Sequence, residues 1–174
     1  MNAFYFADGF RADLEETFVD SMLSTVVGDD NYPGDSAASD HWPGFAAGSR
    51  GVLNTMAPQY HDVSGIVDVA VKPPVLWVHG SKDAIVADHS MFDLAQLGSL
   101  GAVPGWPGSD VAPPQPMVAQ TRAVLDRYAA AGGRYVEVLL DCGHSPHVER
   151  AADFQSALAA HLASADESAR TPRA

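Results

Sequence analysis

Apolar residues recur every fourth position early in the chain: Leu14, Phe18, Met22 and Val26, with Val19 and Leu23 beside them. That spacing marks one face of an α-helix. Asp13 and Glu16 have capping-box spacing, acids fill the first turn, and Gly28 follows the end, so a helix is expected over 13–27. The next stretch, GDDNYPGDSAASDHWPGFAAGSR (28–50), has neither helical nor strand periodicity. Segments of this kind serve as lids, binding loops or linkers. Tyr32, Trp42 and Phe45 argue against a passive linker. A short helix around 49–57, ended by Pro58, is expected to follow.

The second half is more regular. PPVLWVHG (73–80) is an unbroken apolar run behind two prolines, the pattern of a strand buried on both faces. Ser90 and Asp93 have capping-box spacing for a helix reaching Leu97, with Gly98 beyond it. Residues 98–116 are too rich in Gly and Pro for regular structure. Within them, Trp106 reads either as part of a lid or as a surface excursion. Pro116 suits the start of a helix whose face carries Val118, Thr121, Leu125 and Tyr128, up to the Gly132-Gly133 stop. RYVEVLL (134–140) reads as a second strand. Ser145 can cap and Pro146 can start a last helix with the stripe Ala151, Phe154, Leu158 and Leu162. Beyond it, 164–174 reads as a disordered polar tail. The order strand, helix, loop, helix, strand, helix from residue 73 suggests a parallel α/β sheet. No convincing strand is visible in 1–72.

Composition narrows the function classes. The 174 residues carry a net charge of −12, with 17 Asp against 5 Glu and only two lysines, Lys72 and Lys82. A surface that follows phosphates needs clustered Lys and Arg, so no nucleic-acid partner is expected, and an anionic membrane surface is disfavoured likewise. Cys142 is the single cysteine, which rules out an internal disulfide. The opening MNAFYFADGF lacks a basic region and no later segment is long enough to span a bilayer, so a soluble, by default cytoplasmic, chain is expected.

Candidate chemistry gathers where the two expected strands end. The first ends in HGSKDAIVAD, with Gly80 permitting a tight turn and Asp83 three residues on; Asp88 is a local rival. The second ends in DCGHSPH, where His144 follows Gly143. Active sites of open α/β sheets lie at the carboxyl ends of the strands, so Asp83 and His144 could meet there as carboxylate and imidazole. The rival for His144 is a metal site drawn from Asp141, Cys142, His144, His147 and Glu149.

PPVLWVHGSKDAIV followed by VLLDCGHSPHVERAADFQSALAAHL resembles the C-terminal part of α/β-hydrolase fold proteins. The resemblance implies an acid on Asp83, a base on His144, and a final helix opened by Pro146 and Glu149. It covers roughly 72–163 and implies the last two parallel core strands with flanking helices. The Gly-x-Ser-x-Gly turn that carries the family's nucleophile is not found. The nearest string, AGSRG around Ser49, follows no buried strand, and Ser64 and Ser81 fit no better. Residues 1–72 look like the helical cap that precedes the acid strand in this fold. The expectation is therefore an α/β protein with a cap-like segment 1–72, a core portion 73–163 and a tail 164–174. Its nucleophile would lie upstream of Met1. The implied function is ester or amide hydrolysis of a small apolar or ester-type substrate, without cofactor or metal. With an aspartate nucleophile it would be epoxide or haloalkane opening; the rival from another class is a non-catalytic binding protein.

Overall fold

The computed structural model describes residues 3–170, with side chains through Ser164. Positions 171–174 of the expected tail lie outside the described residues. Apolar patterning and turn residues resolve among them into helix α1 (Glu15–Leu23), strands β1 (Ser36–Ala38) and β2 (Phe45–Ala47), and 3-10 turns at Leu53–Met56 and Ser64–Asp68. Strand β3 (Val75–Gly80), helices α2 (Leu94–Ser99) and α3 (Met117–Ala130), strand β4 (Tyr135–Leu140), and helices α4 (Pro146–Glu149) and α5 (Ala151–Arg170) follow. The chain forms two compact units. Among the described residues, one holds 3–12, 66–88 and 117–170; the other holds 13–65 and 89–116.

The first unit is mixed α/β with a small parallel sheet. Strands β3 and β4 pair in parallel, from Val75 opposite Tyr135 to Gly80 opposite Leu140. Parallel neighbours need a crossover, and α3 supplies its returning helix. Val75 to His79 are half-buried rather than enclosed on both faces as the apolar run suggested. The reason is the width of the sheet: with two strands, each is an edge. Tyr128 on α3 is fully buried, and its hydroxyl donates to the Pro73 carbonyl. Its ring lies against Gly133, where a Cβ would approach Tyr128 Cε1 to 2.3 Å. One aromatic residue thus ties the end of the helix to the starts of both strands.

Period-two alternation puts Trp77, His79 and Glu137 on one sheet face. The Trp77 and His79 rings stack at 4.2 Å, and the Arg122 guanidinium from α3 lies over Trp77. Arg122 donates to both oxygens of Glu137, at 3.0 and 2.5 Å, and His79 Nε2 lies 2.9 Å from Glu137 Oε1. Hydrogen bonding to Arg122, then to His79, pulls the Glu137 carboxyl from 4.5 down to about 2. A lowered carboxylate pKa stabilises the fold above the unfolded value, and the contribution disappears as pH falls towards the folded one. Allowing for the solvent that still reaches Glu137, it contributes on the order of 2 kcal/mol. The advantage of wild type over Glu137→Gln in urea melts is therefore expected to shrink as pH falls from 4.5 towards about 2. A difference constant across that window would exclude this role.

The last helix is split. Pro146 opens α4 as expected, but Arg150 leaves helical geometry (φ −130°, ψ 48°) and α5 begins at Ala151. Ser145 makes no side-chain cap; its carbonyl instead accepts from Val148 and Glu149. Of the expected apolar stripe, Phe154 is half-buried while Leu158 and Leu162 are exposed. The helix runs to Arg170, past Ala163 where the apolar pattern stops.

In the second unit, α1 is shorter than the expected 13–27. It is capped by Leu14 without a side-chain bond and buries no residue, so the Asp13–Glu16 box does not form. Short helices without tertiary packing gain little from extension. The aperiodic segment contains a small antiparallel pair, Ser36–Ala38 against Phe45–Ala47, which corrects the reading of 28–50 as structureless. A polar knot organises it. Asp35 Oδ1 accepts from the Arg50 amide at 2.8 Å and from Asn54 Nδ2 at 2.9 Å. The same Nδ2 reaches the Asp35 and Arg50 carbonyls at 2.8 and 2.6 Å. Gly34 and Gly51 cross beside it, so close that a Cβ on Gly51 would lie 2.2 Å from Gly34 Cα. Asn54 is buried, and Asn54→Ala is expected to destabilise this unit by about 2 kcal/mol by leaving carbonyls unpaired. Protection of the 35–54 amides from hydrogen exchange would report it; unchanged protection would contradict it.

Helix α2 starts three residues later than the Ser90 cap implied. Asp93 is the N-cap, accepting from the Ala95 amide at 2.9 Å, and Ser90 Oγ accepts from Phe92 N in the preceding turn. Gly98 lies inside the helix, its face covered by the Trp106 ring. Trp106 Nε1 donates to the Ala112 carbonyl at 2.9 Å, so this indole braces its own loop. No described helix is long and apolar enough to cross a membrane.

Candidate functional site

The two strand-end turns are joined by a continuation of the parallel ladder. Ser81 N donates to Leu140 O at 2.8 Å, and Lys82 N to Cys142 O at 2.9 Å. Gly80 is where the turns touch: a Cβ there would lie 2.0 Å from the Gly143 carbonyl oxygen and 2.4 Å from that of Cys142. Glycine is required by this approach.

Beyond the crossing, Asp83 and His144 face each other. Asp83 Oδ1 accepts from the Ile85 and Val86 amides at 2.8 and 2.9 Å. This Asx-type turn leaves Oδ2 for the imidazole, and His144 Nδ1 stands 2.9 Å from it. The Asp83 side chain is 6% exposed and that of His144 is 32% exposed. A buried carboxylate acceptor favours the tautomer with hydrogen on Nδ1, which leaves the Nε2 lone pair available. Nε2 has no hydrogen-bond partner among the described residues. The Tyr5 ring meets the imidazole edge-on, with centroids 5.7 Å apart.

The other candidates are engaged elsewhere. Asp88 accepts from Ala119 N at 2.8 Å and so serves the first turn of α3, not the helix immediately after it. His79 belongs to the Glu137 cluster. Cys142 is 1% exposed, and burial above all pushes its thiol pKa up, which opposes a reactive thiolate. Asp141 pairs with Lys82 Nζ at 2.8 Å, and this hydrogen bond holds its carboxyl below the usual range. His147 packs edge-on against Phe154, and Glu149 bonds the Gly143 and Ala7 amides. The described residues contain no group of three His, Cys, Asp or Glu disposed to hold a metal ion.

The serines singled out as nucleophile candidates are dispersed. Ser49 is exposed in the second unit, where it lines a cavity of about 390 Å³ with Gly51, Asn54, Thr55 and Tyr60. Ser64 begins a 3-10 turn, its amide held by Asp62 Oδ1 at 2.8 Å. Ser81 Oγ stands 3.4 Å from Asp141 Oδ1. Within the first unit, no described hydroxyl or thiol hydrogen-bonds to His144. Sequence reasoning missed the contacts of Tyr5, Phe6 and Ala7 with the histidine loop. The aromatic cluster at the start of the chain was the only signal, and it named no partner.

Fold and site together define a small mixed α/β protein with a carboxylate–imidazole pair at the ends of two parallel strands. Comparison with family models, curated proteins and solved structures finds no match to this chain.

Proposed function

We propose that the chain carries the acid and base of an α/β-hydrolase-type catalytic centre acting on ester or amide bonds. The observation that carries this reading is the Asp83 Oδ2–His144 Nδ1 hydrogen bond at the carboxyl ends of adjacent parallel strands. His144 Nε2 takes the proton of a serine nucleophile as it attacks the substrate carbonyl. The resulting imidazolium, held by Asp83, then protonates the leaving group. Water repeats the cycle on the acyl-enzyme.

The nucleophile belongs, on this reading, to further core strands of the fold that precede the 174 residues. Two features support the need for them. The parallel sheet has two strands, so neither is enclosed by neighbours on both sides. Its Val136 and Leu139 are 54% and 58% exposed, apolar surface that neighbouring elements would cover. The substrate on this reading is a small apolar or ester-type molecule.

The test is hydrolysis of nitrophenyl esters by the protein translated from its full reading frame. Turnover lost on His144→Ala is expected. Turnover that survives His144→Ala would end the proposal, as would an inert protein whose frame holds no Gly-x-Ser-x-Gly turn after a β-rich run.

A further inference from the structure

We propose that Glu149 is a positioning residue for His144, acting through the Gly143 peptide and through the N-terminal segment that it fastens to the histidine loop. Its consequence for turnover rests on the hydrolase reading; the positioning itself does not. Glu149 closes the four-residue helix α4, and each of its carboxylate oxygens accepts one backbone amide. Oε1 takes Gly143 N–H at 2.8 Å and Oε2 takes Ala7 N–H at 2.7 Å. Bonds to an ionised acceptor are stronger than those between neutral groups.

The Gly143 amide belongs to the residue immediately before the base. Holding it fixes the turn from which the His144 side chain projects. Asp83 restrains only one ring nitrogen; without a fixed backbone, that bond leaves the ring free to follow the loop.

The second amide brings in the start of the chain. A Cβ at Gly143 would stand 2.7 Å from both Ala7 N and the Phe6 carbonyl carbon, so the segment lies directly on the loop. Phe6 is 6% exposed and packs edge-on against Phe10 at 5.1 Å, which anchors the segment. Tyr5 is thereby presented to the imidazole edge at 5.7 Å. Glu149 thus links the loop's backbone to the aromatic wall beside its ring. A carboxylate serving only to favour a helix terminus would need neither amide.

The test uses the protein translated from its full reading frame, labelled with ¹⁵N-histidine. The Nδ1–H proton of His144 is followed by NMR at low temperature and identified by its loss in His144→Gln. In wild type it is expected to exchange slowly with solvent. Glu149→Ala removes both bonds and is expected to speed exchange about ten- to a hundredfold. Glu149→Gln keeps one acceptor and is expected to fall between. Tyr5→Leu leaves both amides bonded and is expected to shift the ring-carbon protons while the Nδ1–H signal persists. Asp153→Asn, an exposed carboxylate paired with Arg150, is expected to change nothing.

Exchange unchanged in folded Glu149→Gln would overturn the proposal, and that variant decides the matter if Glu149→Ala does not fold. The two readings fail separately. Exchange that depends on Glu149, beside ester turnover that ignores His144, would leave the positioning intact and remove the hydrolase assignment. Exchange indifferent to Glu149 removes the positioning whatever the turnover.

Discussion

Replacing Asp83 by asparagine is expected to lower ester turnover about 10⁴-fold while leaving the fold in place. The geometry explains both halves. An asparagine oxygen can still accept from the Ile85 and Val86 amides, now held at 2.8 and 2.9 Å by Oδ1, so the turn survives. Its amide nitrogen would then face His144 Nδ1 where Oδ2 now stands at 2.9 Å. An N–H donor there requires Nδ1 to accept, which moves the ring hydrogen to Nε2. On the proposed hydrolase reading, His144 would lose the Nε2 lone pair that it needs as a base, and no carboxylate would remain to stabilise the imidazolium. Comparison of kcat/KM with the melting temperature separates this effect from unfolding. Turnover near wild type in a folded variant would assign the acid role to another residue.

Gly80→Ala is expected to have the largest effect on structure. The new Cβ would lie 2.0 Å from the Gly143 oxygen and 2.4 Å from the Cys142 oxygen, both backbone atoms that cannot rotate away. Relief requires separating the two turns, which would break the Lys82 N–Cys142 O bond and draw His144 from Asp83. A loss of about 3 kcal/mol or more is expected, at the upper end of overpacking effects. Gly65→Ala is the control, since a Cβ there meets nothing within 4 Å and a change within about 0.5 kcal/mol is expected. Denaturant midpoints measure both. Equal midpoints for the two variants would mean that the turns are not packed as described.

These two positions also show what the sequence makes legible. A Gly followed three residues later by Asp, and a Gly followed at once by His, each after an apolar run, were enough to place a carboxylate and an imidazole at strand ends. The strands themselves were legible because each is rich in β-branched, aromatic and aliphatic residues, interrupted in the second only by Glu137, and each follows Pro or Gly residues. The small pair Ser36–Ala38 and Phe45–Ala47 was not. Three-residue strands made mostly of Ser and Ala carry too little side chain for alternation to register. The capping boxes misled for a related reason. Asp13 and Ser90 have the right spacing, yet Leu14 and Asp93 became the caps, because spacing fixes candidates while packing selects among them.

Polar contacts between distant residues were the least legible. His79, Arg122 and Glu137 come from three different elements, and nothing in their local patterns announces that the helix residue Arg122 meets the other two over one sheet face. Glu149 was legible only as part of the helix entry and as a candidate metal ligand. Its bonds to Gly143 and to Ala7, 142 positions away, emerge only once the chain is folded.

The central claim is that His144 serves a serine nucleophile through an Nε2 left free by its bond to Asp83. Treating the protein translated from its full reading frame with an alkyl fluorophosphonate, and mapping the adduct by mass spectrometry, tests it most directly. One labelled serine is expected, on a strand-to-helix turn outside residues 1–174, with labelling lost in His144→Ala. A labelled serine within residues 1–174, or labelling at the same rate without His144, would contradict it.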